Sequence, residues 1–121
     1  MCETISMLAK RDQLTDTGII CKLNKRLTIT IPKNIRERLS LMAGDEAAIS
    51  LIARSNELMI RKATEGTVDN KMIINERGAI RIPIEIGRFL SLENGDLFLL
   101  YFSNRGPFII LKKYQHQQYL I

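Results

Sequence analysis

The chain repeats itself, and this limits its possible folds more than any other feature. Shifting the sequence by 51 positions lays Asn24 and Arg26 on Asn75 and Arg77, and Ile29, Ile31, Pro32 and Ile35 on Ile80, Ile82, Pro83 and Ile86. Leu39-Ser40-Leu41 falls on Leu90-Ser91-Leu92, Gly44-Asp45 on Gly95-Asp96, Arg54 on Arg105 and Lys62 on Lys113. The match is ungapped, with 13 identities over the 39 positions from Asn24 to Lys62. Two copies are too few for a solenoid, and units of about 45 residues bury too little surface to stand alone. The copies must merge their cores into one pseudo-twofold unit. They can do so within one chain or, like with like, between two chains. The seven-residue linker allows either. The chain divides into an N-terminal arm (1–18), a first repeat (19–63), a linker (64–70), a second repeat (71–114) and a C-terminal tail (115–121).

Each repeat reads strand, strand, short helix, strand, strand. Leu27-Thr28-Ile29-Thr30-Ile31 alternates apolar and polar and is β-branched, the pattern of a half-buried strand. Pro32 ends the strand and suits the first turn of a helix. Ile35, Leu39 and Met42 then supply a helical apolar stripe, with Arg36, Glu37 and Arg38 off it. Gly44-Asp45 breaks the helix. Ala47–Ala53 and Glu57–Lys62 form a hairpin with Arg54-Ser55-Asn56 at its tip. The second repeat follows suit. Ala79–Ile82 precedes Pro83, Ile86, Phe89 and Leu90 form the stripe, Asn94-Gly95-Asp96 is the turn, and Phe98–Ser103 pairs with Phe108–Lys113. The large apolar residues of these last strands predict that repeat two contributes more of the shared core.

The net charge is +5, with +5 on repeat one and +3 on repeat two, set against −1 on the arm and −2 on the linker. A basic surface on the repeats favours an anionic partner. Cys2 and Cys21 have no metal spacing and read as reduced thiols, with Cys21 packed at the start of a strand. Residues 1–10 lack the continuous apolar core of a signal peptide, and the longest apolar run, Leu97–Phe102, has strand length. A cytoplasmic protein without membrane contact is expected. The seven glycines lie scattered at turns rather than in a phosphate-cradling loop, and the one histidine, His116, sits in the polar tail. We therefore expect no enzyme, cofactor or metal.

The stretch Leu27–Pro32, then Ile35-Arg36-Glu37-Arg38-Leu39 and Gly44-Asp45, resembles the AbrB/MazE/SpoVT swapped-hairpin signature. So does Arg77–Ile86 with Leu90 and Gly95-Asp96, and the closing Ile109–Tyr114 is typical of AbrB-like regulators. The resemblance covers about 90 of the 121 residues. It implies a mainly β fold with short helices: two ββαββ repeats closing an AbrB-like swapped-hairpin barrel. It also implies a DNA-binding transcriptional regulator that grips duplex DNA with basic residues of the hairpins and adjacent loops, without a recognition helix. The chain departs from the pattern in three respects. The hairpin glycine is Gly78 in repeat two but Leu27 in repeat one, the arginine that often follows it is Thr28 in one copy and Ala79 in the other, and the bases at the helix start are split between the copies, with Arg36 against Gly87 and Arg88 against Glu37.

Phosphate contacts need several cations on an exposed, rigid surface. The candidates are Lys22, Lys25, Arg26, Lys33, Arg36 and Arg38 in repeat one, and Lys71, Arg77, Arg81 and Arg88 in repeat two. Arg81 alternates with Ile80 and Ile82 and should face outward. Asn24 and Asn75 read as turn formers, and Asp45 and Asp96 as turn or capping residues. Arg54, Arg61, Arg105, Lys112 and Lys113 read as solvated charges or weak ion pairs. Two alternatives stand beside the regulator. One is an antitoxin that binds its own operator and a toxin, disfavoured by a tail of only seven residues after Tyr114. The other is a protein-interaction module with an incidental basic surface.

Overall fold

The alternating runs, prolines and turn glycines generate eight strands and two short helices, seen in a computed structural model that describes residues 13–68 and 70–114. In repeat one the elements are β1 (Leu14–Lys22), β2 (Thr28–Thr30), α1 (Lys33–Arg38), β3 (Glu46–Ile52) and β4 (Glu57–Lys62). In repeat two they are β5 (Asn70–Ile73), β6 (Ala79–Arg81), α2 (Ile84–Phe89), β7 (Leu97–Ser103) and β8 (Phe108–Lys113). The order expected from the sequence is thus the order found. β1 begins at Leu14, inside the segment expected as an arm. The expected roles of residues 1–12 and of the tail lie outside the described residues.

Pairing runs between the repeats. A six-stranded antiparallel sheet has the order β1-β7-β8-β4-β3-β5, and β2 pairs with β6 in a separate two-stranded ribbon. The first strand of each repeat is thus donated to the other: β1 lies on β7, and β5 on β3. The register makes the symmetry explicit. Ile29 faces Ile80 in the ribbon and Met59 faces Ile110 in the sheet, and both pairs are equivalent residues, 51 positions apart. A pseudo-twofold axis passes through both. The two repeats therefore close on each other within one chain.

Matching backbone clasps hold the halves together. Leu23 N–H donates to Asp96 O at 2.8 Å and its carbonyl accepts from Gly95 N–H at 2.8 Å. Across the axis Ile74 does the same with Asp45 and Gly44, at 3.0 and 2.8 Å. The repeated Gly-Asp pair has its reason here. Gly44 and Gly95 take φ of 92° and 96°, which side chains resist. Asp45 and Asp96 carboxylates accept from the backbone N–H groups of Met42 and Glu93, shaping the turn as expected. Each also meets the terminal lysine of its own repeat, Lys62 at 3.8 Å and Lys113 at 3.5 Å.

Ribbon, helices and one sheet face share a single core. Ile29, Ile31, Ile35 and Leu39, with Ile80, Ile82, Ile86 and Leu90, cluster with Leu58, Ile60, Phe98, Leu100, Ile109 and Leu111. Fully burying each such side chain contributes about 1.5–3 kcal/mol. Among the described residues each repeat buries twelve apolar side chains, and those of repeat two are the bulkier, with Phe98 buried where repeat one has Ala47 and Phe102 buried as well.

Four further expectations are corrected. The barrel is not closed by hydrogen bonds, because β1 and β5 are open sheet edges and the three-residue ribbon strands pair only with each other. The edges are blunted: β1 has a bulge between Asp16 and Ile19, with Gly18 at φ 76°, and β5 is only four residues long. Leu27 does not start a strand. It ends a 3-10 turn over Lys25–Leu27, in the left-handed conformation. Met42 and Phe89 do not face the core, with exposures of 69% and 58%. The first helix stops before Met42, whereas Phe89 is the last residue of α2, equivalent to the exposed Arg38, and Ser40 and Ser91 after the helices turn left-handed at φ 58° and 54°. Leu41 N–H then closes on Arg36 O and Leu92 N–H on Gly87 O. Leu39 and Leu41, and Leu90 in repeat two, take the buried places.

Candidate nucleic-acid interface

The turns that precede β2 and β6 are built differently. In repeat two, Asn75 Oδ1 accepts from the N–H groups of Arg77 (2.8 Å) and Ala79 (2.9 Å), and Gly78 supplies the positive φ of 81°. This is the expected role of Asn75. In repeat one Asn24 makes no capping bond, and two side-chain residues in succession, Arg26 (φ 64°) and Leu27 (φ 57°), adopt the left-handed conformation. Each such residue costs about 1–2 kcal/mol. Packing holds Leu27 there, since it lies against the core and its Cδ1 would be 2.7 Å from a Cβ placed on Gly87.

The turns dock on the far ends of the opposing ribbon strands. Ile82 N–H donates to Leu27 O at 2.8 Å, and Ile31 N–H to Gly78 O at 3.0 Å. The ribbon buries Ile29 and Ile80 and leaves Thr30 and Arg81 exposed and Thr28 half-exposed. Arg81 sits opposite Thr28, beside the Lys25-Arg26 turn, and Thr30 sits opposite Ala79, beside the Glu76-Arg77 turn. Lys25, Arg26, Arg77 and Arg81 therefore gather, all exposed, on the two-stranded element through which the pseudo-axis passes. Glu76 is the single acid on these turns.

The remaining candidates divide. Lys33, at the start of α1, and Arg88, on α2, are exposed on the helices that follow the ribbon strands. Lys22 is exposed at the end of β1, and Lys71 on the edge strand β5. Arg36 has an internal task. It is half-buried, its Nε donates to Ile31 O at 2.8 Å, and its guanidinium covers Gly78 so closely that a Cβ there would overlap it. It supports the second turn from beneath. Arg38 lays its guanidinium over the Phe102 ring, 3.8 Å from the centroid, so one of its faces is occupied. The sequence reading missed Thr28 and Thr30 as outward hydroxyls between the cations, although their alternation with Ile29 was the signal.

Cys21 is a buried thiol, as expected, and burial pushes its pKa up to about 11. Among the described residues, no cluster of His, Cys, Asp or Glu could hold a metal ion. Among them, too, no helix is long and apolar enough to cross a membrane.

No family model and no curated protein matches the chain. Among solved structures it is similar to PHS018 from Pyrococcus horikoshii, determined in solution. The match has 15% identity and a TM-score of 0.47, and covers 80% of this chain and 90% of that one.

Proposed function

We propose that the chain is a non-enzymatic, AbrB-type regulator that binds duplex DNA through the β2/β6 ribbon and its two flanking turns. The observation that carries this reading is the set Lys25, Arg26, Arg77 and Arg81, exposed together on a pseudo-twofold ribbon. A two-stranded ribbon fits a major groove, and its pseudo-twofold suits the local dyad of duplex DNA. On this reading the strand exchange between repeats is the swapped-hairpin arrangement of that family, made within one polypeptide. Lys22, Lys33 and Arg88 extend the phosphate contacts, and Arg36 acts by holding the Arg77 turn. Base-reading side chains are few, so groove shape and deformability contribute to selectivity.

Fluorescence anisotropy with a pool of duplexes, across a salt series, tests the reading. Each neutralised phosphate gives a log–log salt slope of about −0.9. The Arg26→Ala/Arg77→Ala variant should bind more weakly, with a slope shallower by about 2. Absence of binding to every duplex at low salt would reject the proposal and favour a protein-interaction module.

A further inference from the structure

The six-stranded sheet has a second face. On β3, β4, β7 and β8 the residues alternating with the core include Ile52, Met59, Ser103, Phe108 and Ile110. With Leu14 they line a cleft of about 330 Å³, reached also by Arg54 and Ser55 from the β3–β4 turn and Arg105 from the β7–β8 turn. The cleft spans the pseudo-axis, because Met59 and Ile110 are the equivalent pair that faces across it. It lies at the far end of the strands from the ribbon turns, about 20 Å away at the rise of a seven-residue strand.

The polar groups of the cleft are mostly donors. Arg54 and Arg105 are identical residues at equivalent positions, both exposed, and neither has an ion-pair partner among the described residues. Glu57 already accepts from the Ser55 hydroxyl at 2.8 Å. Ser103 is 4% exposed. Its oxygen accepts from the N–H groups of Arg105 (3.0 Å) and Gly106 (3.1 Å), so its own proton is left for an acceptor in the cleft. Gln13 adds an amide at the rim. Two guanidinium groups and a buried hydroxyl above an apolar floor form a site for an anion with an apolar body. Its volume is at the lower end of small-molecule sites, and the planar forks of arginine match a carboxylate.

We propose that this cleft binds a medium-chain carboxylate, its tail on Leu14, Met59, Phe108 and Ile110 and its head between Arg54 and Arg105. The inference does not depend on DNA binding, because the two surfaces share no residue.

Isothermal titration calorimetry of the full chain with decanoate, decanol and decyltrimethylammonium, each below its micellar concentration, tests it. Decanoate should bind at one site, and the neutral and cationic analogues at least about tenfold more weakly, the share of one charge-assisted contact. Arg54→Ala/Arg105→Ala should lose about the same factor while its thermal midpoint and DNA affinity stay unchanged. Arg54→Glu/Arg105→Glu should reverse the order and favour the cationic analogue. If either double variant fails to fold, the single variants Arg54→Ala and Arg105→Ala give the same comparison. Equal affinity for the three amphiphiles, or no decanoate binding to the wild-type chain, would overturn the proposal.

Discussion

Leu27 and Gly78 occupy equivalent positions, and so do Arg36 and Gly87, yet the two sides of the axis fill the same contact in opposite ways. On one side a large turn residue, Leu27, packs over a helix glycine, Gly87. On the other a large helix residue, Arg36, packs under a turn glycine, Gly78. Pairing repeat one with itself would set Leu27 against Arg36 and overfill the contact. Pairing repeat two with itself would set glycine against glycine and leave a void. The halves are complementary rather than interchangeable, so the sequence favours closure of unlike repeats, the arrangement seen within this chain. The difference also explains the strain at the first turn. With no glycine there, Arg26 and Leu27 both turn left-handed, and the contact with Gly87 offsets part of that cost.

Where the halves match, substitutions should match too. Ile29 and Ile80 are buried and face each other on the axis. Ile29→Ala and Ile80→Ala should each cost about 2–5 kcal/mol in urea unfolding and agree to within about 1 kcal/mol. A large cost for one and little for the other would break the symmetric core. Where the halves differ, coupling should appear. Gly78→Leu should cost about 3 kcal/mol, from overlap with Arg36 and from the positive φ. Adding Arg36→Gly, which copies the Leu27–Gly87 solution to the other side, should recover at least about 1 kcal/mol. Additive losses would refute the complementarity.

Cys21 offers a subtler contrast, because its equivalent is Met72, which does not titrate. The folded thiol has its pKa raised from 9.0 to about 11, so between those pH values the unfolded chain loses a proton that the folded chain keeps. Stability contributed by the neutral thiol is complete below pH 9 and falls as pH rises toward 11. From pH 8 to 10 the wild type should lose about 1 kcal/mol more than Cys21→Val in chemical denaturation. Parallel curves would show that the thiol reaches water. The smallest effect concerns the left-handed serines after the helices. Ser40→Gly and Ser91→Gly should each stabilise by about 0.5–1 kcal/mol, read as a raised thermal midpoint.

Much of this architecture was legible in local pattern. Alternation around Ile29 and Ile80, a proline after each strand and Gly-Asp after each helix fixed the order of elements in both repeats. Element ends were less legible. The apolar spacing carried the helical stripe to Met42, but Ser40 adopts a left-handed turn that nothing in its side chain signals. The exchange of β1 and β5 was invisible locally, because pairing between residues far apart in sequence leaves no periodic trace. The site divides in the same way. Outward placement of Arg81 followed from alternation, whereas the inward task of Arg36 depends on the glycine it covers in the other repeat. In sequence alone Arg54 and Arg105 look like solvated charges or weak ion pairs. Their identity across the repeats was a signal, but its meaning needed the fold that sets both beside one cleft.

The most direct test of the ribbon as the DNA surface is a ¹H–¹⁵N correlation spectrum of the full chain titrated with duplex DNA. If the ribbon contacts DNA, shifts should concentrate at Lys25–Thr30 and Glu76–Arg81, with Arg54 to Glu57 and Asn104 to Phe108 unmoved. Shifts centred on those far turns, or an unchanged spectrum at low salt, would contradict it.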